Sequence, residues 1–363
     1  MPLQVQPFHP LMFADFRTWR RLLRLHGPLD PTTRKTQRVI RAGIIIETLA
    51  RIVERRRIAA WQRRNPPESA PIIIVGHWRS GTTMLHNHLH ATGAFAVLRH
   101  VDAIRPWAAN PRHGWLARRL PGGNRGLDEM HLDAESPQED EIALAAMTAL
   151  SSFHFTSFPR DTGSIFRRAV LLENASAADL DHLESCLRFI LAKIRLQQSA
   201  PLPILLKNPG HTARLDFLHR RFPQARFIHI VRHPVQVQLS NLRFIDSLVH
   251  PLSLQGPPGT EFTDTISDRY RAMMLAHLEQ RRHLPAGSYH EIRYEDHIRD
   301  PEAHIRQIFE FLGMPMLPAH LEGLHAHLAQ TAGFRGNRHP EDETLRSRFI
   351  RESRFALDQW GYQ

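Results

Sequence analysis

Pro71-Ile72-Ile73-Ile74-Val75-Gly76-His77-Trp78-Arg79-Ser80-Gly81-Thr82-Thr83-Met84-Leu85-His86 is the stretch on which the fold turns. It opens with a continuous apolar run rich in β-branched residues, the composition of a strand buried on both faces of a parallel sheet. Gly76 ends the run and permits a sharp turn, and Gly81 lets a ligand approach the backbone closely. Thr82 and Thr83 suit a helix start, and Met84, Leu85 and Leu89 begin a helical period. Strand, glycine loop and helix in that order cradle phosphate, because amide N–H groups and the helix dipole face the anion together.

The loop nearly matches the P-loop of nucleotide kinases, G-x-x-x-x-G-K-[ST], but lacks its lysine. Thr82 and Thr83 follow Gly81 directly, and the loop's one cation is Arg79, placed before the second glycine. The charge therefore approaches an anion from a different side. An ordinary βα turn is the plainer alternative; the agreement of three signals in order favours the anion site.

Downstream, strand and helix signals alternate. Phe95–Asp102 reads as a second strand, followed by an irregular stretch over 105–137. Pro137, Glu139, Asp140 and Glu141 suit a helix start. A helix over about 178–197 leads to a strand at Leu202–Lys207, and His211–Arg221 reads as helix. Arg226–Arg232 is a further strand, followed by a helix that carries Ser240. A helix at 267–282 precedes a last strand at Tyr289–Ile292, and Ile305–Leu312 reads as helix. Such alternation predicts a mainly parallel sheet with right-handed crossovers. The fold class is α/β: a P-loop-like three-layer fold, with helices on both faces of a central sheet and an N-terminal helical extension. Ligands bind at the carboxyl ends of such strands, where Arg79, Lys207 and Arg232 all fall.

The 363 residues carry 47 basic and 36 acidic side chains, a formal charge of +11 that favours anionic partners such as nucleotides or phospholipid headgroups. Only Lys35, Lys193 and Lys207 are lysines, so a lysine at the end of an apolar run, as at 207, asks for a reason. Cys186 is the single cysteine, which excludes a disulfide framework and a cysteine metal site and fits a reducing cytoplasm. No secretory signal or membrane-length apolar run is seen.

Residues 1–65 differ from the remainder. Apolar and arginine residues alternate as two basic amphipathic helices joined at Gly27-Pro28-Leu29-Asp30-Pro31. Such helices either lie on an anionic bilayer or pack on the main domain and show their arginines to water. The division is thus 1–65, a basic helical extension, and 66–363, the main domain.

Several blocks resemble the sulfotransferases that use 3′-phosphoadenosine 5′-phosphosulfate (PAPS). Val75 to Thr83 is similar to the family's 5′-phosphosulfate loop, in the Arg-Ser-Gly-Thr-Thr form of bacterial members and tyrosylprotein sulfotransferases. Phe227 to Pro234, with Ser240 eight residues after Arg232, resembles the 3′-phosphate motif. Leu206-Lys207-Asn208-Pro209 with His211 resembles the Lys-x-Pro segment between them. Tyr294-Glu295-Asp296 with Phe311-Leu312-Gly313 resembles the family's late strand–helix unit. The resemblance spans about residues 70–340.

It implies a PAPS-dependent transferase that moves a sulfuryl group in line to a hydroxyl or amine, leaving 3′,5′-ADP (PAP). It implies donor binding by Gly76, Arg79, Ser80, Gly81, Thr82, Thr83, Arg232 and Ser240, with Arg335 of the basic tail loop. By analogy with phosphoryl transfer, Arg79 and Lys207 would stabilise growing charge, with no metal required. The family's base is a His or Glu some twenty residues after the loop. His100 fits that spacing, and Glu139 and Glu141 are its rivals.

A P-loop kinase or NTPase is the main rival function, and it lacks both the loop lysine and an Asp at Arg232. A non-catalytic basic module would explain the charge but not three cations at strand ends. Nucleic acid is not an expected partner. The aromatics Trp107, Trp115, Phe153, Phe155 and Phe158, with the basic N-terminus, point to a lipid or other hydrophobic alcohol as acceptor. The expected place is the cytoplasm, peripheral on the inner face of the cytoplasmic membrane through residues 1–65.

Overall fold

A computed structural model describes residues 9–65, 70–108, 123–124, 131–198, 200–256, 265–332 and 343–363. Two N-terminal helices, α1 (Phe16–His26) and α2 (Arg34–Arg64), lead to β1 (Ile72–Val75) and α3 (Thr82–Ala91). Then come β2 (Ala96–Val97), α4 (His100–Ile104) and a small antiparallel pair, β3 (Gly123–Asn124) with β4 (His131–Leu132). Helices α5 (Asp140–Met147), α6 (Thr162–Ile165) and α7 (Ala177–Leu196) precede β5 (Ile204–Lys207). The rest of the main sheet follows as α8 (Leu215–Arg221), β6 (Arg226–Val231), α9 (Pro234–Leu252) and β7 (Tyr289–Arg293).

The five strands run in the order β2-β5-β1-β6-β7, and each neighbouring pair is parallel. β1 lies at the centre because all four of its side chains are buried. Alternation along it separates two apolar layers. Ile73 and Val75 pack with Leu206, Phe227 and helices α5, α7 and α8; Ile72 and Ile74 pack with Ile228, Ile230, Leu85 and Leu89 of α3, and Phe309. The result is three layers, as the alternation predicts. A charge placed at Ile74, wholly buried between β5 and β6, would break it.

Three elements differ from the sequence reading. The second strand is two residues long, not eight, and His100 opens α4 instead of closing a strand. The chain beyond Val97 is drawn away from the sheet by residues 136–138: Gln138 N donates to Leu98 O, and His100 N donates to Ser136 O. Pro209–Ala213 is a 3₁₀ turn, and the helix expected from His211 begins only at Leu215. Residues 109–122 and 125–130, including Trp115, lie outside the described residues, as does most of the long loop expected over 105–137.

The N-terminal helices pack onto the body. Leu22, Ile40 and Ile44 share an apolar cluster with Phe158 and Ile165. Lys193 of α7, fully buried, donates to Glu54 of α2 at 3.2 Å and to the carbonyls of Pro106 and Ala108. Lys193 is thus a second lysine with a reason, one that is structural. No helix among the described residues is long and apolar enough to cross a membrane.

Candidate functional site

The loop after β1 is shaped by three residues with positive φ. Gly76 has φ 151°, and a Cβ there would meet Ile230 O at 2.5 Å. Gly81 has φ 101°, and a Cβ would strike the ring of Tyr294. Arg79, at φ 71°, holds a conformation unusual for a side-chain-bearing residue, the kind of strain that recurs at ligand sites. Gly76 N donates to Thr212 Oγ1 at 2.8 Å, and Ser80 N to His77 O at 3.0 Å. The first amides of α3 have no intrahelical acceptor, as at any helix start, and face the loop.

The loop meets the β6–α9 unit directly. Arg79 Nε donates to Ser240 Oγ at 3.0 Å, and Arg232 Nη1 donates to the backbone carbonyl of Arg79 at 3.1 Å. The Arg232 guanidinium lies 4.5 Å from the Tyr294 ring centroid, a cation–π contact. Asn241 Nδ2 donates to Trp78 O at 3.0 Å. Ser80 Oγ is buried without a hydrogen-bond partner among the described residues, beside the space that Gly76 keeps clear. An orphaned hydroxyl and adjoining guanidinium groups fit a phosphorylated ligand.

Lys207 ends β5, next to β1. Its buried ammonium donates to Thr83 Oγ1 at 3.3 Å and to Glu139 Oε2 at 2.9 Å. Beneath it His86 is wholly buried; burial and then the Lys207 charge hold its imidazole well below the usual histidine range, so it adds no second charge there. Glu139 is the N-cap residue of α5, yet its side chain makes no capping hydrogen bond and turns to Lys207 instead.

Glu141 is placed differently from its expectation as a rival base. It is buried, accepts from Asn208 Nδ2 at 2.6 Å and pairs with Arg214 at 3.3 Å. Burial alone would raise its carboxyl, but Arg214, His211 and the Asn208 hydrogen bond bring it down to about 2. With Asp140, which pairs with His211 at 2.9 Å, it fixes the turn after Lys207. His100 Nδ1 lies 3.0 Å from Gln138 Nε2, while Gln138 Oε1 accepts from Glu139 N at 3.0 Å. That second bond orients the amide, so Gln138 donates to Nδ1 of His100. Arg335, assigned to the donor from the tail loop, lies outside the described residues.

One cluster of metal-ligating groups occurs among the described residues: His229, His277 and Glu291, with atoms within 4.8 Å. Glu291 Oε2 already accepts from Tyr289 at 2.8 Å and from the Arg281 cation at 3.1 Å, and lies 2.8 Å from His229 Nδ1. His277 bonds Tyr289 at one nitrogen and the Thr212 carbonyl at the other. The cluster is therefore a polar network under Thr212 and the loop. Sequence reasoning missed Thr212, Gln138 and the role of Tyr294, all of which act through residues distant in the chain.

An apolar cavity of about 60 Å³ backs onto the loop at His77 and Trp78 and is walled by Phe155, Ile165, Phe166 and Val170. It adjoins a wider groove of about 400 Å³ that shares Thr162, Phe166 and Arg269 and reaches Arg160 and Arg167. Of the expected acceptor aromatics, Phe155 lines the cavity, whereas Trp107 and Phe158 belong to the core.

Comparison with known proteins bears on this site. A family model described as the sulfotransferase family matches residues 71–318. The chain is 30% identical over 321 residues to omega-hydroxy-beta-dihydromenaquinone-9 sulfotransferase Stf3 of Mycobacterium bovis, covering 86% of this chain and 79% of the relative. The protein of the same name from Mycobacterium tuberculosis matches to the same extent. Among solved structures, sulfotransferase STF9 from Mycobacterium avium superposes with a TM-score of 0.73 at 20% identity, covering 96% of this chain and 93% of that one. Sulfotransferase STF1 from Mycobacterium tuberculosis gives 0.61 at 17% identity, covering 90% and 88%. At those identities the structural likeness bears on the fold.

Proposed function

The chain belongs to the sulfotransferase family, and from that premise we propose that it moves the sulfuryl group of PAPS to the hydroxyl of a hydrophobic alcohol. The observation that carries this reading is the Arg79–Ser240 hydrogen bond with the Arg232 bond to Arg79 O. Those contacts unite at one sheet edge the two motifs that the family uses for the 5′- and 3′-ends of its donor.

PAPS, when bound, supplies an activated sulfuryl group and a leaving phosphate. The chain's own residues supply the rest. The Gly76–Thr83 loop and the α3 N-terminus take negative charge through amides. Arg232 and Ser240 hold the 3′-phosphate end, with Tyr294 bracing the Arg232 guanidinium. Lys207 and Arg79 stabilise charge as it grows on the departing oxygen. Glu139 takes the acceptor's proton: it adjoins Lys207, and its other carboxylate oxygen makes no hydrogen bond among the described residues. His100 is the weaker base, because Gln138 occupies the nitrogen that would receive the proton. The scheme assigns no metal.

The acceptor class follows from two supports. The relative Stf3 is named for an omega-hydroxy menaquinone derivative, a hydrophobic alcohol. The cavity behind the loop is lined mainly by apolar side chains and shares Thr162, Phe166 and Arg269 with the groove of about 400 Å³. A lipid acceptor would bring the enzyme to the inner face of the cytoplasmic membrane, with residues 1–65 as the contacting extension of a 66–363 catalytic domain.

Calorimetry with PAP, without added metal, tests the donor. Micromolar binding that weakens roughly ten- to a hundred-fold in Arg232→Ala is expected. No heat with PAP, alongside stabilisation by ATP–Mg, would transfer the chain to the kinase reading. Radiolabelled PAPS with lipid extracts then tests the acceptor, and label confined to water-soluble product would reject the hydrophobic alcohol.

A further inference from the structure

We infer that the outward face of α2 docks on a bilayer rich in anionic phospholipid. The inference deepens the reading of a lipid acceptor and rests on it only for how the acceptor arrives. α2 runs 31 residues, about 46 Å at a helical rise of 1.5 Å per residue. Its inner side is settled. Ile40, Ile44 and Ile58 are buried, and Gly43 lets the helix close on Met12. The two acids of the helix also turn inward: Glu47 pairs with Arg105 at 2.6 Å and Glu54 with Lys193.

The outer side gathers most of the exposed large hydrophobic residues among the described residues. Ile45, Ile46 and Leu49 are 72%, 75% and 71% exposed, and Val39, Ile52 and Val53 are exposed beside them. Their spacing of three, four and seven places them on one side of the helix. Six of the eleven exposed large hydrophobic residues of the described chain thus lie in one band, about 20 Å long. Cations flank the band at both ends, with Arg34, Lys35 and Arg38 before it and Arg56, Arg63 and Arg64 after it, all exposed. No acid faces outward among them.

Charge decides the occupant. A second copy laid along this face would set cation against cation in a parallel or an antiparallel arrangement. An anionic bilayer neutralises both ends while its acyl region accepts the central band. The helix is not apolar enough to span, so it lies in the interface plane. Its amino-terminal end is also near the groove behind the loop. Asp30, in the α1–α2 turn, donates its amide to Leu254 O, and its carboxylate shares the space at Gly256 with Arg160, which borders that groove. A bilayer-resident alcohol would enter beside the docked helix.

Flotation of the full chain with phosphatidylcholine vesicles, with and without phosphatidylglycerol, tests this. The wild type is expected to float with the anionic vesicles and to be released by salt. Ile46→Glu with Leu49→Glu should reduce flotation at least about tenfold, and Arg38→Glu with Arg56→Glu should remove the preference for anionic lipid. Both variants should keep the wild-type thermal shift with PAP, which shows that they fold and separates failure of docking from failure of the donor reading. Ile46→Ser is the milder substitute if the double variant loses that shift. Equal flotation of variants and wild type, or no flotation of the wild type, would overturn the inference. So would a wild-type dimer that Leu49→Glu converts to monomer, since that assigns the face to a second copy.

Discussion

Arg79 Nε donates to Ser240 Oγ at 3.0 Å across 161 residues of sequence. Arg232, at the end of β6, closes the group by donating to the carbonyl of Arg79. Each motif therefore positions the other. The side chain of Arg79 is oriented by Ser240 of α9, and its backbone is held by the Arg232 cation at the end of β6.

Under the proposed donor site, this linkage predicts that the two residues contribute cooperatively to PAP affinity. Arg232→Ala removes a charge-assisted contact worth about 1.5–3 kcal/mol, so PAP affinity should fall roughly ten- to a hundred-fold. Ser240→Ala should cost less. Arg79→Ala combined with Ser240→Ala should depart from additivity by at least about 0.5 kcal/mol, because the two residues touch. Calorimetric titration of the four proteins checks this, and strict additivity would show that the hydrogen bond does not shape the donor site.

Lys207→Ala should lower kcat about 10²- to 10³-fold while the fold persists. The partner left behind, Glu139, is partly exposed and can hydrate, so no fully buried charge is stranded. Turnover close to wild type, with unchanged thermal stability, would remove the ammonium from charge stabilisation.

What the sequence made legible was local. Ile72–Val75 reads as a central strand because its four residues are apolar and β-branched, and Gly76 and Gly81 mark the turns that the backbone requires. The carboxyl-edge cations follow from strand ends alone. Long-range partners were hidden. Phe95–Asp102 carries a strand-like start, but the bonds from Gln138 and to Ser136 that divert it come from some forty residues downstream. Glu139 and Glu141 look alike in sequence, two residues apart at a helix start. Lys207 claims one, while Arg214 and Asn208 claim the other. Thr212 gives no sequence signal, because its role depends on Gly76 arriving from another strand.

The base assignment yields a comparison between two residues. Glu139→Gln keeps the shape and most of the contact with Lys207 but cannot take a proton, so kcat should fall about 10²- to 10⁴-fold with little loss of donor affinity. His100→Ala should cost less than about tenfold, because Gln138 already occupies its accepting nitrogen. Steady-state kinetics of both variants decides the matter. A larger loss in the histidine variant would reverse the roles.

Acid should unfold this chain through its buried imidazoles. Burial pushes His9, His77, His154 and His297 down to about 4, and His88, which hydrogen-bonds His297, down to about 3. In the unfolded chain these groups protonate near the ordinary value of 6.5. The unfolded state thus binds more protons between pH 6.5 and 4, and stability falls as pH drops through that window, with no contribution from these groups above it. Glu141 extends the loss downward: its carboxyl, held at about 2 against 4.5 unfolded, gives up its stabilisation as pH falls from 4.5 to 2. Each pKa unit is worth about 1.4 kcal/mol, so one such histidine alone should remove roughly 2–3 kcal/mol by pH 4.5. Urea unfolding at several pH values should show a fall of at least about 3 kcal/mol between pH 7 and pH 4.5, with net proton uptake on unfolding. A flat profile over that range would mean that water reaches these rings in the folded chain, and the packing of His77 within the loop after β1 would have to be redrawn.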